Sequence, residues 1–194
     1  MARATTHRDR AKADRHAAIL RESARLFAER GFSGVSLEEL GAAVGISGPA
    51  LYRHFSGKQA LLGALLVGVS ERLRDGGRTV TDLESDPLTR LQGLIAFHVD
   101  FALADADVIR VQDRDLASLS DDDLRAVRRL QREYVEIWIR VLGELHPDRT
   151  ADDLRVRAHA CFGLMNSTPH SGRGGSPDHT RAILESMALA ALRS

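Results

Sequence analysis

Apolar residues recur at three- and four-residue spacing along nearly the whole chain, the period of amphipathic helices, and glycine, proline and capping residues interrupt them where helices would end. Ser36 can cap a helix whose third residue is Glu39, so a helix begins near Leu37 and carries Leu37, Leu40 and Val44 on one stripe. Gly45 supplies the backbone freedom to stop it. Ser47 is a second cap, and Pro49, tolerated in a first helical turn, opens a short helix to about Phe55. Leu51 and Phe55, four apart, face inward, which leaves Gly48, Pro49, Ala50, Tyr52, Arg53 and His54 outward. Ser56-Gly57-Lys58-Gln59 repeats the capping-box pattern and starts another helix at once, with Lys58 in its first turn.

From Lys58 onward the pattern is helical throughout. One helix runs to about Arg74 and stops at Asp75-Gly76-Gly77, and Asp86-Pro87 starts the next, with Leu88, Leu91, Ile95, His98 and Ala102 on one stripe. A shorter helix spans Asp105 to about Leu116. Ser120 before Asp121, Asp122 and Asp123 starts a long one to about Leu145, the three carboxylates facing the positive end of its dipole. That helix aligns Val127, Gln131, Tyr134, Trp138, Val141 and Leu145. Thr150, with Asp153 three residues on, begins a helix reaching Met165 or Asn166 that is apolar on two faces. Leu154, Ala158, Cys161, Phe162 and Met165 form one, and Val156, Ala160, Gly163 and Leu164 the other. After a glycine-rich loop, Thr168 to Pro177, a final helix carries Ile183, Leu184, Met187, Ala188, Ala190, Ala191 and Leu192.

The expected fold class is therefore all-α. A three-helix helix-turn-helix domain over 15–57 precedes a helical body over 58–194. Residues 1–14 lack apolar periodicity and hold Arg3, Arg8, Arg10 and Lys12 against only Asp9 and Asp14, which reads as a disordered basic arm. Such an arm can neutralise phosphates or enter a minor groove, or be a solvated tail. No apolar run follows the basic residues, as a signal peptide would require. No stretch approaches a membrane span.

Net charge is zero over 194 residues, but its distribution is uneven. Residues 1–58 hold 10 Lys+Arg against 6 Asp+Glu, and the remainder 17 against 21. The basic end is the end expected to meet nucleic acid. The single cysteine, Cys161, excludes an intrachain disulfide, fits a reducing cytoplasm, and sits on an apolar stripe as a small buried residue would.

Taken singly, Tyr52 could cover a core edge, His54 be a solvated imidazole and Lys58 a surface lysine. The order cap, helix, glycine turn, cap, helix, cap resembles the tetracycline-repressor family of bacterial regulators, and Ile19-Leu20, Ala24, Leu26-Phe27-Ala28-Glu29 and Gly31-Phe32 resemble its first helix. The resemblance is clear over about residues 15 to 66. It implies a double-stranded DNA operator as partner, with Tyr52, His54 and Lys58 on phosphates and Gly48, Pro49, Ala50 and Arg53 on the base side, flanked by the caps Ser36 and Ser47. The chemistry agrees: arginine can donate twice to a guanine edge, Pro49 or Ala50 can pack on a thymine methyl, and tyrosine, imidazole and lysine suit phosphate oxygens.

The resemblance also implies a homodimer and a small-molecule effector, with no cofactor. The expected dimer interface is Val156, Ala160, Gly163, Leu164, Leu184, Ala188 and Ala191, where small and aliphatic residues let helices approach. The expected effector chamber is lined by His98, Phe101, Gln131, Tyr134, Trp138, Phe162, Met165 and Asn166. It suits a hydrophobic or amphipathic molecule such as an acyl-CoA, steroid metabolite, aromatic or drug. His98 is either a satisfied core histidine or a donor to that ligand.

Two other functions compete. Asp121-Asp122-Asp123 is superficially like the magnesium-holding runs of isoprenoid enzymes, but no second run faces it and capping explains it more simply. Metal sensing lacks a pair of histidines at i, i+4, and His159 and Cys161 point to different faces. A constitutive DNA-binding dimer without effector keeps the same fold.

Overall fold

The computed structural model describes residues 7–46, 48–171 and 176–194. The chain is built of helices, and no strand occurs among the described residues. Helix α1, His7–Arg30, buries Ile19, Ser23, Leu26 and Phe27 on one stripe, and Gly31 at φ 81° closes it, donating to the Phe27 carbonyl at 2.8 Å. Helix α2, Leu37–Ala43, has the expected capping box: the Ser36 hydroxyl accepts from the Glu39 amide and the Glu39 carboxylate accepts from the Ser36 amide. Gly45, at φ 68°, makes the turn that aims the chain into α3, Gly48–Tyr52. The cap expected at Ser47 lies outside the described residues, as does Arg3.

Helices α4, Lys58–Leu83, and α5, Pro87–Ala104, follow, the second capped by Asp86. Then come α6, Ala106–Asp115, a 3-10 turn at Leu116–Ser118, α7, Asp121–Leu145, α8, Ala151–Met165, a short α9, Thr168–Ser171, and α10, Pro177–Arg193. Ser120, Thr150 and Ser176 each cap the helix that follows.

Several expected boundaries shift. The arm expected over 1–14 gives way to helix at His7, because the stretch simply extends α1 and needs no apolar stripe of its own. Helix α3 stops at Tyr52, three residues early; the Phe55 amide still donates to the Leu51 carbonyl at 3.0 Å, and Leu51 and Phe55 are buried as expected. The capping box expected at Ser56-Gln59 does not form: Gly57 is the N-cap, and the Gln59 amide donates to the Ser118 carbonyl at 3.1 Å. The loop after Thr168 contains α9, anchored by the Thr168 hydroxyl donating to the Ala102 carbonyl at 2.6 Å.

The largest correction concerns Asp75-Gly76-Gly77, which does not end α4. The helix runs nine residues past Arg74, to Leu83. These glycines are there for close packing: a Cβ on Gly76 would overlap the Phe97 ring, and one on Gly77 would come to 2.7 Å from Cε2 of Tyr134. Gly63 faces Asp123 and Gly77 faces Tyr134, so α4 and α7 run side by side in the same direction.

Two hydrophobic cores result. One gathers Phe27, Leu40, Leu51 and Phe55 with Leu61, Leu62, Leu66 and Val69 of α4 and Val108 and Val111 of α6. It crosses the boundary expected at residues 57 and 58, so α1 to α3 are packed directly on α4 and α6. The second joins α5, α7, α8 and α10 around Trp138, which is fully buried. His146 helps close it, its Nε2 donating to the Leu192 carbonyl at 2.7 Å.

Candidate functional site

The glycine turn presents α3 with Leu51 driven into the first core, and that burial forces its neighbours out. Tyr52 is 55 % exposed, Arg53 is exposed, and Ala50 and His54 are half-buried. Phe55, buried behind them, stacks on His16 of α1 at 4.9 Å between ring centres. His54 thus stands among Lys12, Arg15, His16 and Arg53. Burial first, then those positive neighbours, push its pKa below the ordinary histidine value. The side chains of α1 and of the segment after α3 thus put several cations around one imidazole.

Lys58, at the start of α4, is held rather than loose. Its ammonium donates to the Val35 carbonyl at 2.8 Å and sits 4.6 Å above the Phe32 ring centre. One of its three protons is thereby used and the group is fixed beside the N-terminus of α2, where Ser36 caps. Glu39 bonds Arg30 at 2.8 Å, which keeps that carboxylate occupied within the head.

Arg114 on α6 links the head to the body. Its guanidinium donates to the carbonyls of Phe27 and Ala28 at the C-terminal end of α1, and Asp115 holds it from behind at 3.0 Å. Arg114 thereby ties α6 to the C-terminal carbonyls of α1, the Phe27 oxygen accepting from it as well as from the Gly31 amide. Nothing in the helical periodicity marks Arg114 for this role, nor Arg15 and His16 as neighbours of His54; Lys12 is left unconnected to His54 by a reading that treats residues 1–14 as arm.

In the body the structure brings together six of the eight residues expected at the chamber. His98, 3 % exposed, lies between the Tyr134 hydroxyl, 3.2 Å from Nδ1, and the Asn166 side-chain oxygen, 3.1 Å from Nε2. A neutral imidazole satisfies both, donating from Nε2 and accepting at Nδ1. Burial holds it neutral, lowering its pKa to about 4. The ring stacks on Phe162 at 5.0 Å and meets Trp138 and Phe101 edge-on at 6.1 and 5.7 Å. Burial likewise raises the Tyr134 pKa, keeping the phenol protonated. Met165 is fully buried in the second core, and Gln131 stays half-buried and joins neither hydrogen bond. The buried indole N–H of Trp138 makes no well-formed hydrogen bond, its polar neighbour being the Tyr134 hydroxyl, which is already engaged with His98.

Cys161 is 2 % exposed and its thiol, pushed up to about 12 by burial, points at the Ala188 carbonyl 3.9 Å away, so it packs as a small apolar side chain.

The outer faces of α8 and α10 carry exposed apolar residues: Val156 at 68 %, Met187 at 51 % and Ile183 at 44 %, with Ala160, Gly163 and Ala191 exposed beside them and Leu164 half-buried. Two residues expected on this face are elsewhere. Leu184 and Ala188, at 5 % and 0 %, fill the chain's own second core. The apolar stripe of α10 is wide enough to serve two neighbours, and the half of it that meets α5 and α8 carries those two.

The family profile described as "Bacterial regulatory proteins, tetR family" matches residues 19–65, and that described as "Tetracyclin repressor-like, C-terminal domain" matches residues 84–190. The HTH-type transcriptional repressor KstR2 of Mycobacterium tuberculosis is 29 % identical over 147 residues, covering 71 % of this chain and 72 % of that protein. A TetR-family transcriptional regulator from Bordetella parapertussis superposes with a TM-score of 0.78 at 25 % identity, over 90 % of this chain and 93 % of its own. AibR, solved in complex with isovaleryl coenzyme A and operator DNA, gives 0.73 at 20 % identity over 89 % and 97 %. No described helix is long and apolar enough to cross a membrane. With one profile on the reading head and the other spanning more than half of the chain, the protein belongs to the tetR family of bacterial regulatory proteins and is a transcriptional regulator, not an enzyme.

Proposed function

We propose that the chain is a homodimeric repressor that holds a palindromic operator through α3 and releases it when a hydrophobic or amphipathic effector occupies the cluster around His98. The observation that carries the DNA half is the exposed Tyr52, Arg53 and His54 set inside a ring of cations, with Lys58 fixed on the flanking helix. Arg53 is the one long donor on the base side, so base readout leans on it, while Tyr52, His54 and Lys58 take phosphates. A twofold dimer through α8 and α10 puts half-sites in successive major grooves, about one helical turn or slightly more apart.

The effector half rests on the buried indole N–H of Trp138, a donor without a well-formed hydrogen bond beside the His98, Tyr134 and Asn166 network and the Phe162 and Phe101 rings. A ligand carbonyl would accept from it while an apolar body displaced the Phe162 and Phe101 rings. The acyl-coenzyme A ligand named for AibR suits that chemistry. Repression is supported by the KstR2 relative and by steric occlusion needing no further surface. Release proceeds by population shift: ligand favours a body shape in which α6, through Arg114, moves α1 and the recognition helices leave groove spacing. A coupling of about 1 to 3 kcal/mol makes a useful switch.

The test selects fragments of the host's genomic DNA on the purified protein, then titrates the selected site with acyl-CoAs and steroids. Enrichment of an inverted repeat, weakened binding by at least one such ligand, and loss of that response in Trp138→Phe are expected. No enriched repeat would reject the DNA reading. An enriched repeat that no ligand weakens would favour a constitutive dimer.

A further inference from the structure

A cavity of about 510 Å³ opens between α1, α4 and α6, apart from the His98 cluster. Its floor is apolar: Leu20 and Ala24 of α1, Leu65 and Val69 of α4, Val108 of α6. Its depth comes from Gly68. The other mid-helix glycines of α4 that abut a neighbour, Gly63, Gly76 and Gly77, would each clash on gaining a Cβ, whereas one on Gly68 meets nothing within 4 Å. Gly68 is therefore not required by packing, and it weakens α4 as any mid-helix glycine does. What it provides is open volume on the cavity wall.

The rim is charged, and its charges are unequally engaged. Arg25 is paired with Glu22 and Glu29, and Arg72 with Asp105, while Asp107 lies 3.6 Å from Arg110. Arg21 lines the same rim and has no ion-pair partner among the described residues. An apolar trough with one free guanidinium at its edge is complementary to a chain-like apolar molecule ending in an anion.

We propose that this trough is a second ligand site, separate from the His98 cluster, and that it takes a single-chain amphiphile with an anionic head, an aliphatic carboxylate, with the head on Arg21 and the chain along Gly68. The trough touches all three elements that join head to body: α1 belongs to the reading head, α6 carries the Arg114 clamp, and α4 runs through both cores. A molecule lodged there fixes the angle of α1 against α6, so its occupancy bears on DNA affinity without entering the second core. The influence on DNA rests on the regulator reading; the binding itself does not.

Decanoate binding to the full chain, followed by calorimetry, tests this, with decanol and decyltrimethylammonium as neutral and cationic counterparts. Decanoate is expected to bind with one site per chain and the other two markedly more weakly. Arg21→Gln and Gly68→Leu should each weaken it by about tenfold or more. Asn166→Leu, in the His98 cluster, should leave it unchanged. Because a side chain at Gly68 meets open space, Gly68→Leu is expected to fold with an undiminished melting temperature, and Arg21→Gln reports independently if it does not. No decanoate binding, equal binding of all three amphiphiles, or a loss caused by Asn166→Leu but by neither trough variant would overturn the proposal. Operator affinity of the ligand-free protein, measured on the same samples, reports separately on the regulator reading.

Discussion

Protonation of His98 should destabilise the fold by an amount its environment sets. The ring is fully enclosed by Tyr134, Phe162, Trp138 and Phe101, with both nitrogens already bonded, and its pKa falls from 6.5 to about 4. Because the folded value lies below the unfolded one, the stability is fully present above about pH 6.5 and is lost as pH falls toward 4, where the unfolded chain binds a proton the folded chain refuses. Between pH 7 and pH 5 that linkage amounts to about 2 kcal/mol, and it approaches about 3 kcal/mol below the folded value. Other groups titrate over the same interval, so the quantity to read is a difference. Urea unfolding of wild type and His98→Gln at one protein concentration, at pH 7 and pH 5, gives it: the wild type should lose about 2 kcal/mol more than the variant. Equal losses in the two proteins would mean that His98 is not held neutral by burial, and the description of the cluster would fail.

Three further outcomes follow from the geometry. Gly77→Ala should cost about 1 to 2 kcal/mol net, since its methyl meets a Tyr134 ring locked by stacking, while Gly68→Ala, into open space, should gain about 0.5 to 1 kcal/mol; denaturant melts read both signs. A phosphate beside His54 raises the pKa that burial and its cationic neighbours lower, so operator affinity should rise as pH falls from 8 toward 6, and His54→Gln should flatten that dependence in anisotropy titrations. Val156→Glu combined with Met187→Glu should convert the dimer to a folded monomer in sedimentation and strip operator affinity, whereas a dimer surviving both changes would place the interface elsewhere.

The fold was legible wherever a helix start has a side-chain signature. Ser36, Asp86, Ser120 and Thr150 cap the helices they were expected to cap, because a serine, threonine or aspartate ahead of an apolar period has one dominant use. Gly76-Gly77 was misread because a glycine pair that ends a helix and one that admits a neighbouring ring look alike in one dimension; only the partners Phe97 and Tyr134 separate them. The same limit applies to Leu184 and Ala188. Periodicity places them on an apolar face, but which half of a broad face turns inward depends on where α5 and α8 lie. The clustering of His98 with Tyr134, Trp138, Phe162 and Asn166 was readable from inward stripes on three helices, since polar and aromatic residues on such stripes must find one another. Arg114 was not, because a cation that reaches from α6 to the carbonyls of α1 leaves no local pattern.

The central claim is that the surface built on α3 reads duplex DNA. Its most direct measurement is the affinity of the dimer for a genomically selected site and for a scrambled duplex of the same composition, at about 0.15 M salt and repeated with Arg53→Ala. The account predicts a preference of about a thousandfold or more for the selected site, reduced in the variant by about 1 to 3 kcal/mol. Equal affinity for the two duplexes, or a preference that Arg53→Ala leaves intact, would contradict it.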